Sequence, residues 1–207
     1  MRRMAMLVLA GCVAAATALA EEGVSEAPKP AAEKAIAVVA VGAVDDILVM
    51  RVSEFVKANL DVPVRMLPAQ EATAESLDGE GQAAAKLMGP DDVCLIALVA
   101  PKTAVEAHGV LLADQRVAVI NAASLKPADD DAETYGRRVE KEAMQGIGML
   151  LGLGPCPNPQ CAMSAYASIE ELDGKGRNFC PPCLDAFAKG AAEKGLVIKP
   201  KAAIAVH

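Results

Sequence analysis

Residues 145–183 read QGIGMLLGLGPCPNPQCAMSAYASIEELDGKGRNFCPPC. Four cysteines punctuate this stretch in two pairs: Cys156 and Cys161, with four residues between them, and then Cys180 and Cys183 in a C-x-x-C. A pair of pairs fits a closed tetrahedral thiolate site, because four soft sulfurs satisfy zinc without imposing a directional geometry. The binding energy would then fix two loops that have little core of their own. Pro157, Pro159, Pro181 and Pro182 stiffen both turns. Two disulfides are the alternative, which an oxidising compartment would permit, and free, inert thiols are a third reading. The spacing ranks zinc first, as one structural site.

Outward from this stretch toward the N-terminus, the pattern alternates between strand and helix. Asp129, Asp130 and Asp131 precede a long helix through Leu151, whose apolar stripe is Val139, Ala143, Met144, Ile147, Leu150 and Leu151. Glu140 and Glu142 read as solvent-facing charges beside Arg138 and Lys141. Arg116 to Asn121 alternates as a short strand, and Val93 to Ala100 is a continuous apolar run of strand length holding Cys94, a small core thiol. Gln82 to Met88 reads as a short helix ended by Gly89-Pro90, after a polar loop from Gln70 to Glu80. Val62 to Leu67 is a strand stopped by Pro68. Ile47 to Asn59 is an amphipathic helix that Asp45 can cap, and Ala35 to Val44 is a strand buried on both faces. This order predicts an α/β layer around a sheet. Beyond the cysteines, Val197-Ile198 and Ala202 to Val206 read as a short apolar strand.

Composition narrows the function. The chain has 207 residues, 53% hydrophobic but only 2% aromatic, a net charge of −7 and a mean hydropathy of +0.29. The length suits one domain with a tail. Its core must be built from Ala, Val and Leu, which pack closely without aromatic volume. Nucleic-acid binding is excluded, since neither phosphate neutralisation nor base stacking has its residues. Two histidines, His108 and His207, also exclude any site needing three imidazoles from one chain.

The N-terminus predicts export. Arg2 and Arg3 precede an apolar run from Met4 to Leu19, and Ala18-Leu19-Ala20 meets Glu21-Glu22, the layout of a secretory signal over residues 1–20. Leu9-Ala10-Gly11-Cys12 equally resembles a lipobox, in which Cys12 would carry the lipid. Either reading places the mature chain in the periplasm or outside the cell. Residues 21–34 form an acidic tether broken by Pro28 and Pro30, and the folded domain is expected over residues 35–207. An acidic protein has little attraction for an anionic membrane, so membrane contact would come only through a lipid at Cys12.

Taken with the strands and helices upstream, the cysteine stretch resembles the archaemetzincins, a branch of the metzincin zinc metallopeptidases. Their signature runs HExxHxxGxxHC, four residues, CxM, a spacer and CxxC. Cys156, Cys161, Met163, Cys180 and Cys183 stand where its second half requires them, and Gly152 matches the glycine that turns the chain out of the catalytic helix. Val41-Gly42-Ala43-Val44, Arg116-Val117-Ala118-Val119-Ile120 and Lys141-Glu142-Ala143 fall in matching order, so the resemblance covers roughly Ala35 to Lys189. It implies a metzincin-like fold: a twisted, mostly parallel sheet with packed helices and a cysteine-clamped C-terminal subdomain.

The first half of the signature is where this chain departs from the family. Counting back from Gly152 puts Gln145 and Met149 at the first two ligand histidines, Pro155 at the third, and Gly146 at the general-base glutamate. Catalytic zinc needs three good protein ligands and an open position for water. An amide oxygen is weak, a thioether suits Cu(I), proline offers no side-chain donor and glycine no base. The resemblance makes Met163 the Met-turn residue, which as core filler needs no metal. Met149 is expected to close or dry the former site. The implied function is a non-catalytic relative with one structural zinc and a groove for extended peptides beside the strand at 116–121, which pairs with substrate in metzincins. The alternatives are an active metallopeptidase with unorthodox ligands and a disulfide-stabilised envelope protein without metal.

Overall fold

The computed structural model describes residues 33–199. The expected leader, Cys12, most of the tether, His207 and the segment 202–206 lie outside the described residues.

Five strands form one sheet in the order β2-β1-β3-β5-β4. Strand β1 (Ala35–Gly42) lies between β2 (Val64–Met66) and β3 (Asp92–Ala100), parallel to both, with Ile36 beside Val64 and Ala37 beside Leu95. Strand β5 (Val117–Asn121) continues the parallel set against β3, and β4 (Gly109–Leu112) closes the edge antiparallel to β5, with Val110 beside Val119. The two central strands read as unbroken apolar runs because both of their faces are covered. Ile36, Val38 and Ala40 face one core, and Ala37, Val39 and Val41 face the other.

Helix α1 (Asp46–Leu60) starts where the Asp45 carboxylate accepts the Ile47 N–H at 2.8 Å, and ends at Asp61 in the left-handed region. It shares one face of the sheet with α3 (Ala132–Leu150), which Asp131 caps by accepting the Glu133 and Thr134 N–H groups. Helix α2 (Leu77–Ala85) covers the opposite face. Two further helices, α4 (Ile169–Gly174) and α5 (Pro181–Glu193), belong to the cysteine region.

Several expectations change. The short helix begins five residues before the predicted Gln82, because Ser76 accepts the Gly79 N–H and starts it there. Val197-Ile198 forms no strand. The strand at 116–121, expected to border the peptide groove as its pairing strand, is interior to the sheet, since β4, hidden in sequence by its brevity, pairs outside it. Glu140 is buried, at 2% exposure, rather than solvent-facing, and its neighbour Lys141 is buried as well, at 6%. Glu140 accepts from Arg51 Nε at 2.8 Å and Arg177 at 2.9 Å, while Lys141 Nζ donates to the Leu172 and Asp173 carbonyls. Arg138 holds Asp173 through two nitrogens. Helix α3 therefore buries more than the stripe facing the sheet, and its charged flank anchors α4 and the cysteine segment.

Candidate metal centre and the cleft beside it

At its C-terminal end α3 leaves the helix through Gly152 at φ +90°, a conformation that a side chain would strain. The chain then enters the cysteine segment. The sulfur atoms of Cys156, Cys161, Cys180 and Cys183 all lie within 4.8 Å of one another. Cys180 precedes α5 and Cys183 lies in its first turn, with Pro181 and Pro182 between them, where missing N–H groups leave nothing unbonded. Cys156 N–H donates to the Met163 carbonyl at 2.9 Å, closing the first loop.

The sulfurs are also prepared electronically. Met163 N–H and Cys180 N–H both point at Cys161 Sγ, each at 3.4 Å. Such amide donors stabilise thiolate charge and orient the ligand. The Cys183 backbone N–H pulls the Cys180 thiol down to about 7, whereas burial pushes Cys161 and Cys183 up. Four converging thiols with amide support fit a zinc ion, which would occupy a closed, structural site with no position for substrate. None of the five described cysteines is in a disulfide. Cys94 stands apart in β3, fully buried, with its thiol pushed up to about 12 by burial, as a core residue should be.

Met163 is buried beneath α3, against Gly148. A Cβ at position 148 would run into Met163 Sδ and come within 3.2 Å of the Phe179 ring, so this glycine makes room for the turn below it.

Beside the metal centre a cleft of about 410 Å³ opens between α3 and the sheet edge. Gly109, Val110 and Leu111 of β4 line it, with Glu142, Gln145, Gly146 and Met149 of α3 and Tyr166 of the cysteine segment. The structure thus brings together three of the four expected catalytic positions, and they face an open space. Met149 is 39% exposed and does not close it. Pro155 is not among the lining residues.

The chemistry of this wall differs from that of a metal site. Gln145 Oε1 accepts from Lys175 Nζ at 2.6 Å, so an ammonium sits where a ligand would hold a cation. Lys175 is buried, lies over the Tyr166 ring at 5.0 Å, and is lowered to about 8 by that burial. At Gly146 a Cβ would come within 2.6 Å of the Ala118 Cβ on β5, which leaves no space for a general-base side chain. These residues do not fit the three-imidazole zinc of the signature, and no other group of three or more His, Cys, Asp or Glu ligands occurs among the described residues.

Sequence reasoning missed three participants. Glu142, expected in solvent, lines the cleft with Oε1 buried and unpartnered; burial pushes its carboxyl up while Lys175 pulls it down. Tyr166 stacks on His108 with ring centroids 6.2 Å apart and lies beneath the Lys175 ammonium. His108 lies in a loop, as expected, but that loop brings it to the cleft, with Nδ1 3.0 Å from Ser124 Oγ. The position of Glu142, three residues before Gln145 and seven before Met149, was the available signal, since that spacing shares one helix face.

Comparison with known proteins bears on this geometry. The profile of peptidase family M54 matches residues 106–189. The archaemetzincin of Methanopyrus kandleri is 39% identical over 80 residues, covering 39% of this chain and 45% of its own length. That of Pyrococcus horikoshii is 36% identical over 81 residues, 37% of this chain and 43% of its own. The matched region thus spans less than half the length of these curated relatives. In fold, the crystal structure of the M. kandleri archaemetzincin matches 80% of this chain and 99% of its own at a TM-score of 0.62 and 24% identity. A zinc-dependent peptidase from Methanocorpusculum labreanum matches 73% and 99% at 0.60 and 20%.

Proposed function

We infer that this chain belongs to the archaemetzincin family, whose profile matches residues 106–189 and whose solved members share its fold. The proposed reading is a non-catalytic member that holds one structural zinc through Cys156, Cys161, Cys180 and Cys183 and binds extended peptides in the cleft. The observation that carries it is the wall of α3: an ammonium bonded to Gln145, and Ala118 filling the space in front of Gly146. Hydrolysis by the family's route needs a metal-bound water and a base to take its proton. Neither has a residue to depend on here.

The free edge of β4 supports peptide binding. On one side its backbone pairs with β5, and on the other it borders the cleft, so an extended chain could add a strand there. The peptide-pairing strand is therefore β4 and not the 116–121 segment. The N-terminal residues support an exported protein, cleaved after Ala20 or lipid-anchored at Cys12.

Metal content and turnover test the reading together. Purified protein should carry one zinc per chain, lose it in the Cys180→Ser variant, and leave a pooled peptide library uncut. A second equivalent of metal with chelator-sensitive hydrolysis would replace this reading by an active peptidase with unorthodox ligands. Absence of metal with a mass increase on reduction would replace it by a disulfide-stabilised protein.

A further inference from the structure

The contact between Lys175 and Gln145 fixes more than a charge. An ammonium has donors only, so the carboxamide atom 2.6 Å from Nζ is the oxygen, and the orientation of the amide follows from chemistry. Its two N–H donors are then left on the other side. Gln145 lines the cleft, and no protein acceptor takes those donors among the described residues. They face a space bordered by the free edge of β4.

Lys175 cannot follow a ligand. It is buried, its ammonium lies over the Tyr166 ring, and the Glu142 carboxylate supplies the nearby opposite charge. Gln145 is therefore presented in one arrangement before anything binds, which removes an ordering cost from binding. A positive charge behind the carboxamide oxygen also polarises the group and strengthens its N–H donors, as in any chain of hydrogen bonds at low dielectric.

We propose that Lys175 and Gln145 form a hydrogen-bond relay that receives a backbone carbonyl oxygen of an extended peptide lying along β4. Gln145 touches the peptide and Lys175 is its positioning residue. The inference rests on the cleft being a peptide site and adds how that site holds its ligand. A metal at this place would polarise a carbonyl toward attack, whereas an amide donor binds it, and Gly146 supplies no base. The site grips a peptide bond without breaking it.

The test uses the zinc-loaded full chain and, as probe, the tightest binder from a randomised pool of end-capped octapeptides, followed by fluorescence anisotropy. Gln145→Glu keeps an acceptor for Lys175 but removes the donors, and should weaken the probe about tenfold, the value of one good hydrogen bond. Lys175→Met should weaken it similarly, Lys175→Arg should restore most of the affinity, and the Gln145 side-chain amide resonances should shift as the probe binds. Zinc content establishes that each variant is folded. If Lys175→Met does not fold, Gln145→Glu and the amide resonances decide. Peptide binding unchanged in Gln145→Glu, with unmoved resonances, would overturn the relay and leave the peptide site standing. No binding by the wild-type chain would overturn both.

Discussion

Gly146→Ala adds one methyl group at the place where the family signature carries its general base, and the structure fixes what that methyl meets. The added carbon would lie 2.6 Å from the Ala118 Cβ and 3.8 Å from Ile96 Cδ1. Carbon atoms in contact prefer about 3.5–4.0 Å, so helix and strand must separate by about 1 Å. Ala118 cannot rotate out of the way, and β5 is held by β3 and β4 on its two sides. Overpacking of this kind costs about 1–3 kcal/mol, against which replacing a helix glycine by alanine returns up to about 1 kcal/mol. Net destabilisation of about 0–2 kcal/mol follows from those two terms. Gly174 in α4 is the control, because a Cβ there meets nothing within 4 Å and only the propensity gain applies. Urea unfolding at a fixed excess of zinc should thus separate Gly146→Ala from Gly174→Ala by about 1–3 kcal/mol, or several degrees in melting temperature for a domain of this size. Equal stabilisation by both would refute the reasoning: α3 would then stand off β5, and position 146 would have room for a side chain.

Three further outcomes are expected. Glu140→Gln should destabilise the fold by about 2 kcal/mol, the value of charge-assisted bonds to partly exposed partners, because Arg51 and Arg177 lose their shared carboxylate; an unchanged urea midpoint would contradict this. Iodoacetamide at pH 8 should leave Cys94 unmodified in the native protein, since burial shuts out the reagent and pushes the thiol up to about 12, and early carbamidomethylation seen by peptide mass mapping would show that β3 opens. Removing zinc should raise amide exchange at residues 146–153 and 161–164 while β1 and β3 stay protected; uniform exchange across the sheet would mean that the metal holds up the whole fold rather than the cysteine segment.

The central strands and the cysteine cluster were legible because each rests on a strong local rule. Ala35–Gly42 and residues 93–100 are apolar without interruption, the pattern of a doubly covered strand. The four thiols were legible from spacing, since a soft tetrahedral site constrains residue type at every position. Strand β4 was not legible: Gly109–Leu112 is four residues long, partly exposed, and takes its register from β5 rather than from its own pattern. Helix α5 was hidden by Pro181-Pro182, which read as turn stiffeners in sequence but occupy the first helical positions, where proline is tolerated.

The misreading of Glu140 and Glu142 has one physical origin, and it links the cysteine cluster to the cleft. A helical period assigns a single buried stripe on the assumption that one layer covers the helix. Here the sheet covers one side of α3, and the cysteine segment covers another through Met163 against Gly148, Lys141 to the Leu172 and Asp173 carbonyls, and Lys175 to Gln145. Residues that would be solvated on a surface helix become the anchors of that segment. Cys161 and Met163 lie two residues apart in one turn, and Lys175 lies between Cys161 and Cys180 in the chain. A zinc held by these cysteines therefore fixes the loop that brings Lys175 to Gln145. A zinc at these cysteines and the polar wall of the cleft would depend on the same short segment, so loss of the first should loosen the second even though no thiol lines the cleft.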